Sequence, residues 1–223
     1  AESLRGQGVR SLAVRTDVRD PGSVDALFEA AISEFGGVDL VFNNAGVYLG
    51  GEMRDCTFDD WKFVLDVNVD GVFHVGQRAA ALLRKQDRGG HIVNTASIGG
   101  FMSHGGGLAY AVSKFGVVAY SEAMRADLEP DGIGVSTLCP GPIDTNLPAS
   151  DRLRESTEQS SGLSEALSPF IRGGMQPEDV GPIVLSGTRR TLRDTVTREG
   201  MREIFRARFD SSPDCIDRIG GPA

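Results

Sequence analysis

The nine residues 38–46, "VDLVFNNAG", determine the fold that this sequence predicts. An apolar run opens the stretch, and two asparagines and a glycine end it. A short apolar run bounded by turn residues is typical of a buried strand. Three other stretches have the same character: "VRSLAVRTDV" at 9–18, ending its strand at Asp17, "GHIVNTAS" at 90–97, and "IGVSTLCPGPIDT" at 133–145. We therefore predict a strand in each.

Helical patterns separate these strands. Amphipathic or long helical stretches occupy 20–37, 57–86, 105–132 and 176–190. In the first, Asp20 and Ser23 are candidate caps, and the predicted apolar face carries Val24, Leu27, Ala31 and Phe35. Strands that alternate with helices of this length predict an α/β fold, with a parallel sheet and helices on both of its faces.

Composition excludes several kinds of partner. The chain has 31 acidic and 23 basic residues, a net charge of −8, so we expect no nucleic-acid partner and no membrane partner. No apolar run approaches the ~20 residues of a membrane span. The cysteines Cys56, Cys139 and Cys215 are far apart and give no disulfide or metal spacing, so we expect a cytoplasmic protein without a bound metal.

The sequence predicts one domain over residues 1–223. The pattern weakens at 146–176, a polar stretch that we interpret as a substrate loop, with a variable surface insertion as the alternative. The tail beyond residue 193 predicts a short β-like piece and an amphipathic helix.

Polar residues follow these elements in a fixed order. Asn43, Asn44 and Gly46 close one strand, Asn68 lies within the second helix, and Ser97 ends the next strand. In "LAYAVSKFG", residues 108–116, Tyr110 and Lys114 follow one helical turn apart. Ligands of parallel sheets bind outside the carboxyl ends of the strands, where the first and third of these features lie.

This ordered set, with the turn "PGPIDT" at 140–145, resembles the short-chain dehydrogenase/reductase family from Asp17 to about Asp179. The resemblance implies a Rossmann-like, doubly wound parallel sheet and a cofactor that is NAD or NADP. It also implies an oxidoreductase that interconverts a secondary alcohol and a ketone, with a small-molecule alcohol or ketone as substrate. Members with such helices assemble as homodimers or homotetramers, and here Phe63, Val67, Phe115 and Val118 would serve that interface or the core.

The resemblance also assigns roles. Tyr110 would be the acid/base, Ser97 would hold the substrate oxygen, Lys114 would tune Tyr110 and bind the nicotinamide ribose, and Asn68 would hold a water in a proton relay. The implied cofactor-binding residues are Asp17, Val18, Asn44, Ala45, Gly46, Tyr110, Lys114, Pro140, Gly141, Ile143 and Thr145.

Elementary electrostatics supports the central pair. Residues at i and i+4 share a helix face. A free phenol has a pKa near ~10, too high for a base at neutral pH. A charge about 4 Å away, at an effective dielectric of about 20, would lower that pKa by about 3 units. We therefore expect Lys114, helped by a positively charged nicotinamide, to lower the pKa of Tyr110.

Each residue also has a plainer interpretation. Asn44 and Gly46 could form an ordinary turn, Asp17 could simply end a strand, and Asn68 could bond a neighbouring backbone. His104 could line a substrate pocket or lie in an exposed loop.

One departure from the family concerns the glycine-rich T-G-x-x-x-G-x-G turn, which is absent with the first β-α-β segment. We expect either a fragment of an enzyme or an inactive remnant that acts only as a binding or oligomerisation partner. A sugar-nucleotide epimerase or dehydratase is a weaker alternative, because the short length and the "NNAG" form disfavour it.

Overall fold

The computed structural model describes residues 1–103, 105–153, 169, 171–189 and 194–197. His104, Cys215, most of the proposed 146–176 substrate loop and the predicted C-terminal helix lie outside these residues.

Four parallel strands form the sheet in the described residues. They are β1 (Leu40–Asn43), β2 (Gly90–Thr95), β3 (Ile133–Cys139) and β4 (Asp194–Val196), in spatial order β1-β2-β3-β4. The strands predicted within 38–46, 90–97 and 133–145 and the short piece in the tail are therefore confirmed. Because the strands are parallel, their carboxyl ends lie at one edge of the sheet.

Six helices surround the sheet in the described residues. They are α1 (Glu2–Gly6), α2 (Pro21–Phe35), α3 (Phe58–Leu65), α4 (Gly71–Gln86), α5 (Leu108–Leu128) and α6 (Pro177–Arg189). A π-helical turn, Asp66–Asp70, joins α3 to α4, so the predicted helix over 57–86 is one element with a widened middle. Short 3₁₀ segments cover Met53–Asp55, Ile98–Gly100, Glu129–Asp131 and Leu147–Leu153. None of the described helices is long and apolar enough to cross a membrane.

The two faces of the sheet pack against different helices. Side chains alternate between the faces of a strand, so neighbouring residues contact different layers. Ile92 and Val135 pack with residues of α4 and α5, whereas Val93 and Leu138 pack with Val184 of α6. Helices therefore cover both faces, which confirms the predicted doubly wound, Rossmann-like α/β fold.

A buried polar chain ties the first two strands to α5. The Asn43 amide donates to the Val72 carbonyl (2.9 Å) and to Asn94 Oδ1 (3.2 Å). Asn94 in turn donates to Ser121 Oγ at 3.1 Å. Buried polar groups of this kind are costly unless paired, so the chain of bonds fixes the register of β1, β2 and α5.

The predicted strand at 9–17 is wrong. These residues carry no regular secondary structure, and Val9 and Leu12 are exposed. A strand needs a hydrogen-bonded neighbour, and no other described segment pairs with this one. The apolar pattern alone does not supply that neighbour.

The predicted face of α2 is partly wrong. Asp20 caps the helix by accepting from Gly22 N, but the Ser23 hydroxyl accepts from Asp17 N instead. The helix buries Val24 and Phe28, and Phe35 is exposed. Because α2 packs against α4, its buried residues Val24 and Phe28 are four positions apart and do not follow the predicted face.

The sequence did not decide whether Val67 and Val118 serve the core or a subunit interface, and the structure places both in the core. Val67 and Val118 are buried in separate apolar clusters, while Phe63 and Phe115 are half-buried. The apolar side chains that α4 and α5 expose most are Phe73, Leu108 and Val112.

Candidate active site

Tyr110 and Lys114 lie one turn apart in the first half of α5, as the spacing predicts. The Lys114 side chain is only 4% exposed, and its Nζ lies 5.6 Å from the centroid of the Tyr110 ring. Nζ donates to the Thr95 carbonyl oxygen at 2.9 Å. The end of β2 therefore holds the ammonium beneath the tyrosine ring.

Ser97 reaches the same point from the sheet. It follows β2, and its hydroxyl accepts from Gly99 N (3.0 Å) at the start of the Ile98–Gly100 turn. The Ser97 and Tyr110 hydroxyls are hydrogen-bonded to each other. Two hydroxyls in mutual contact define a point where the oxygen of a ligand can receive two hydrogen bonds.

Asn68 lies in the π-helical turn and is completely buried. Its Oδ1 accepts from Val47 N (2.8 Å), and its Nδ2 donates to the Val47 carbonyl (2.9 Å) and to Ser113 Oγ (3.0 Å). The Ser113 hydroxyl donates to the Tyr110 carbonyl at 2.7 Å. Asn68 therefore links the segment after β1 to the turn of α5 that carries Tyr110. Single π turns inside α-helices occur often at functional sites.

Three contributors were missed at the sequence level. Thr95 holds Lys114 through its carbonyl and donates through Oγ1 to Asn44 Oδ1 at 2.9 Å. Ser113 and Tyr48 contact the Tyr110 turn and the Tyr110 ring, respectively. Only their positions in the sequence could have indicated Thr95 and Tyr48. Thr95 precedes Ser97 by two residues, and Tyr48 follows Gly46 by two.

Burial controls the pKa of Tyr110. Removal from water raises the pKa of this phenol, the hydrogen bond with Ser97 lowers it, and the nearby Tyr48 phenol raises it. Lys114 is not among the groups that set this direction, and the predicted lowering, which also depends on a positively charged nicotinamide, stays a prediction. The ammonium is directed at the Thr95 carbonyl, while burial disfavours the phenolate.

Burial acts on Lys114 as well. Removal from water lowers the pKa of the ammonium from its ordinary 10.5 to about 8, against a small opposing effect of Cys139. At neutral pH the ammonium form is therefore favoured by a smaller margin than for an ordinary lysine.

Two of the predicted residues after β1 lie against this cluster. A methyl group added to Gly46 would lie 3.5 Å from both Asn68 Oδ1 and Lys114 Nζ. Asn44 accepts a hydrogen bond from Thr95, as described above. Ala45 lies between Asn44 and Gly46 in the chain. The absence of a side chain at Gly46 therefore leaves Lys114 Nζ open on that side.

The residues after β3 lie beside the turn that follows Ser97. The Pro140 carbonyl accepts from Ile98 N at 3.0 Å, and Gly141 N donates to Thr197 Oγ1 at 3.1 Å. Ile143 forms a parallel bridge with Met175, and Thr145 Oγ1 accepts from Leu147 N at 3.4 Å. The bridge ties together the two ends of the predicted 146–176 loop beside this turn.

Asp17 and Val18 have contacts of their own, and Val18 packs against the apolar cluster of Val47, Val64, Val67 and Ala109. The Asp17 carboxylate binds the Arg19 guanidinium (Nη2 to Oδ2, 2.7 Å), which lowers the pKa of this carboxyl group. The Val18 carbonyl contacts His74 Nδ1 at 2.9 Å, and its side chain packs on Gly71.

The donor set suits a nicotinamide dinucleotide. Lys114 carries three N–H donors, and Thr95 is its one hydrogen-bond acceptor in the part of the chain that the structure describes. A buried lysine with free donors, open beside Gly46, can bind the hydroxyl groups of a ribose. Across the same described residues, no group of three or more His, Cys, Asp or Glu side chains is placed to hold a metal.

The doubly wound parallel sheet, with Ser97, Tyr110 and Lys114 together at its carboxyl edge, defines a Rossmann-like α/β protein. Residues 1–156 match the short chain dehydrogenase family. The chain belongs to this family, which confirms the predicted resemblance.

The relatives are oxidoreductases of several kinds. The chain is 36% identical over 156 residues to a Streptomyces virginiae protein named as a ketoacyl reductase of the monensin polyketide synthase, covering 69% of this chain and 59% of that protein. It is 32% identical over 196 residues to meso-2,3-butanediol dehydrogenase of Serratia marcescens, covering 80% and 77% of the two chains. The chain thus spans less than two thirds of the first of these relatives.

A solved structure extends the comparison. A short chain dehydrogenase/reductase from Burkholderia phymatum, in complex with NAD, superposes with a TM-score of 0.89 at 31% identity. The match covers all of this chain and 82% of that one. The predicted cofactor class, NAD or NADP, agrees with the ligand of that neighbour.

Proposed function

We propose that this protein catalyses the NAD(P)-dependent interconversion of a secondary alcohol and a ketone, with Tyr110 as the acid/base. The observation that carries the proposal is the hydrogen bond between the Ser97 and Tyr110 hydroxyls, directly above a buried Lys114. The dinucleotide, when bound, supplies the hydride acceptor or donor. The reductase and dehydrogenase relatives support the reaction class.

Each residue has a stated task in this proposal. Tyr110 Oη takes the hydroxyl proton of the alcohol and returns it to the ketone oxygen in the reverse direction. Ser97 Oγ donates to the same oxygen and holds it at the reacting position. Lys114 binds ribose hydroxyls and provides positive charge that favours the phenolate. Asn68 fixes Val47 and Ser113, and thereby the Tyr110 turn, beside the proton relay.

The remaining residues bind the dinucleotide in this proposal. Asn44, Ala45 and Gly46 would line the ribose side, and Pro140, Gly141, Ile143 and Thr145 would flank the nicotinamide. Asp17 and Val18 would meet the adenine. We also propose one domain, a cytoplasmic location and a homodimer or homotetramer, in which the exposed Phe73, Leu108 and Val112 belong to the subunit contacts.

A titration followed by turnover assays tests the proposal. NADH and NADPH are titrated against the chain by nicotinamide fluorescence, and a panel of secondary alcohols is then assayed. Replacing Tyr110 by Phe should lower kcat about 10²–10⁴-fold while changing dinucleotide affinity far less. Tyr120→Phe is a matched control, because Tyr120 lies on the same helix with its hydroxyl against Gly76. Equal turnover by Tyr110→Phe and the unaltered chain would refute the role of Tyr110.

The exposed edge of β1 supports a second candidate function, a non-catalytic binding partner. Leu40 and Phe42 are exposed on β1, and among the described strands β1 pairs with β2 alone. A strand edge of this kind offers backbone groups and apolar surface to another chain. A folded chain that binds neither dinucleotide but assembles with full-length family members would support a non-catalytic partner.

A further inference from the structure

Tyr48 lies against the reacting tyrosine but belongs to none of the predicted site residues. Its side chain is only 5% exposed. The Tyr48 and Tyr110 ring centroids are 5.1 Å apart, with the ring planes at 70°, an edge-to-face contact. Such contacts have a preferred geometry, so one ring constrains the tilt of the other.

The hydroxyl group of Tyr48 is fixed independently. It donates to the Gly106 carbonyl oxygen at 3.0 Å. The same carbonyl accepts from Gly51 N at 3.1 Å, and Gly51 bridges to Gly107. The segment after β1 therefore binds the glycine turn before α5 at several points, with Tyr48 among them.

The ring of Tyr48 also lies on Gly107, the residue that precedes α5. A methyl group added to Gly107 would lie 3.4 Å from both Tyr48 Cε2 and Oη. Tyr48 therefore contacts the start of the helix through its ring and hydroxyl, and contacts Tyr110 within the first turn. Its own place is held by Asn68, which bonds both backbone groups of the preceding Val47.

We propose that Tyr48 is a positioning residue for Tyr110: its ring fixes the tilt of the Tyr110 phenol toward Ser97, and its hydroxyl locks the 105–107 turn in place. The activity part of this inference rests on the proposed function. Tyr48 acts through Tyr110 and takes no proton itself. The titratable groups facing Tyr110 in the described residues are Tyr48, from the segment after β1, and Lys114, from α5. Cys139 interacts electrostatically with Lys114.

A pH titration of the tyrosine side chains tests the inference without an activity assay. The chain contains three tyrosines, Tyr48, Tyr110 and Tyr120, so ring-labelled tyrosine gives three assignable NMR signals. Burial and the Tyr48 phenol both raise the pKa of Tyr110. Tyr48→Phe keeps the ring but removes the phenol, so the pKa of Tyr110 should fall. Tyr48→Leu also admits water and should lower it further.

Turnover gives the second readout. Tyr48→Leu should lower kcat about tenfold with KM changed less than about twofold, because misplacing a reacting group affects chemistry more than binding. Tyr48→Phe should retain most of kcat, since its ring remains. The rising limb of the alcohol-oxidation pH profile should move to lower pH in both variants.

The controls separate the two ideas. Tyr120→Phe should leave the Tyr110 titration and kcat unchanged. An unchanged Tyr110 pKa in the well-folded Tyr48→Phe variant would overturn the inference, as would a Tyr48→Leu variant with unaltered kcat. Absence of turnover in the unaltered chain, with the Tyr110 titration shifted as expected, would instead contradict the proposed function alone.

Discussion

Lys114 directs its ammonium group at the carbonyl oxygen of Thr95, at 2.9 Å, although Tyr110 lies one turn away on the same helix face. The end of β2 thus fixes the lysine, and the phenol above it stays buried and bonded to Ser97. A lysine held in this way keeps donors for a ligand but loses the solvation of its charge. The site therefore contains an energetic cost that is measurable as a dependence of stability on pH.

Lys114→Met should remove that dependence. The folded-state pKa of Lys114, about 8, lies below the ordinary 10.5, so the unfolded chain binds more protons within this window. The free energy of unfolding of the unaltered chain should therefore rise with pH relative to Lys114→Met. The slope is about 1.4 kcal/mol per pH unit, or about 3 kcal/mol across the window. Denaturant unfolding of both chains at several pH values measures the difference.

Subtracting the variant is necessary because other groups titrate nearby. Burial raises the pKa values of Tyr48, Tyr110, Tyr120 and Cys56, so these groups lower stability as pH rises. Their contribution is common to both chains and cancels in the difference. A difference that stays constant between about pH 8 and pH 10.5 would contradict the lowered pKa of Lys114.

Local spacing predicted this pair, but not its surroundings. The i, i+4 interval fixes a shared helix face, and the structure keeps it. The direction of the Tyr110 pKa depends instead on burial and on the partner that the ammonium finds, both of which are set by β2 and by the segment after β1. Those contacts join residues far apart in the chain, and no local pattern encodes them.

Asn68→Leu should be strongly destabilising. The substitution leaves the N–H and C=O of Val47 without their partner in a buried place, at a cost on the order of 3 kcal/mol. Ser113→Ala is the matched control, because it removes a bond to Asn68 but spares Val47, and should cost about 1 kcal/mol. Urea unfolding with unchanged m-values gives both numbers. Equal losses in the two variants would mean that the Val47 bonds carry little of the stability.

Two glycines near Lys114 should respond differently to alanine. At Gly46 the new methyl group would lie 3.5 Å from Lys114 Nζ, an ordinary contact, so stability should change by less than about 1 kcal/mol. The methyl group would, however, cover the open side of the ammonium. Dinucleotide affinity should therefore fall about tenfold, equivalent to about 1.4 kcal/mol.

Gly100→Ala provides the contrast. Its methyl group would lie 2.7 Å from the Lys114 carbonyl oxygen and 2.8 Å from Val118 Cγ2, so α5 would have to move. Overpacking of this kind costs about 1–3 kcal/mol. Thermal unfolding and the NADH titration, applied to both variants, separate a packing defect from a binding defect. Unchanged affinity in a stable Gly46→Ala chain would argue against Lys114 as a ribose ligand.

The sequence was least informative where a segment depends on a partner. Residues 9–17 have the composition of a strand, but the described chain offers them no neighbour to pair with, and Leu12 stays exposed. On α2, the sequence predicted a face through Val24, Leu27, Ala31 and Phe35, whereas packing against α4 buries Val24 and Phe28. Tyr48 was missed for the same reason, because its role arises from a contact with Tyr110 across the fold.

Asp17→Asn tests the predicted adenine contact. The Asp17–Arg19 pair is partly exposed to solvent, so removing its charge should change stability by less than about 1 kcal/mol. Arg19 lowers the pKa of Asp17, so what stability the pair supplies is present above the ordinary carboxyl pKa and is lost as pH falls through the lowered one. If Asp17 also meets the adenine, KM for the dinucleotide should rise several-fold with kcat unchanged. Glu34→Gln, which removes the exposed Arg10–Glu34 pair, is the control and should leave KM unaltered. An unaltered KM in Asp17→Asn would leave the carboxylate with no function beyond the turn that it forms with Arg19.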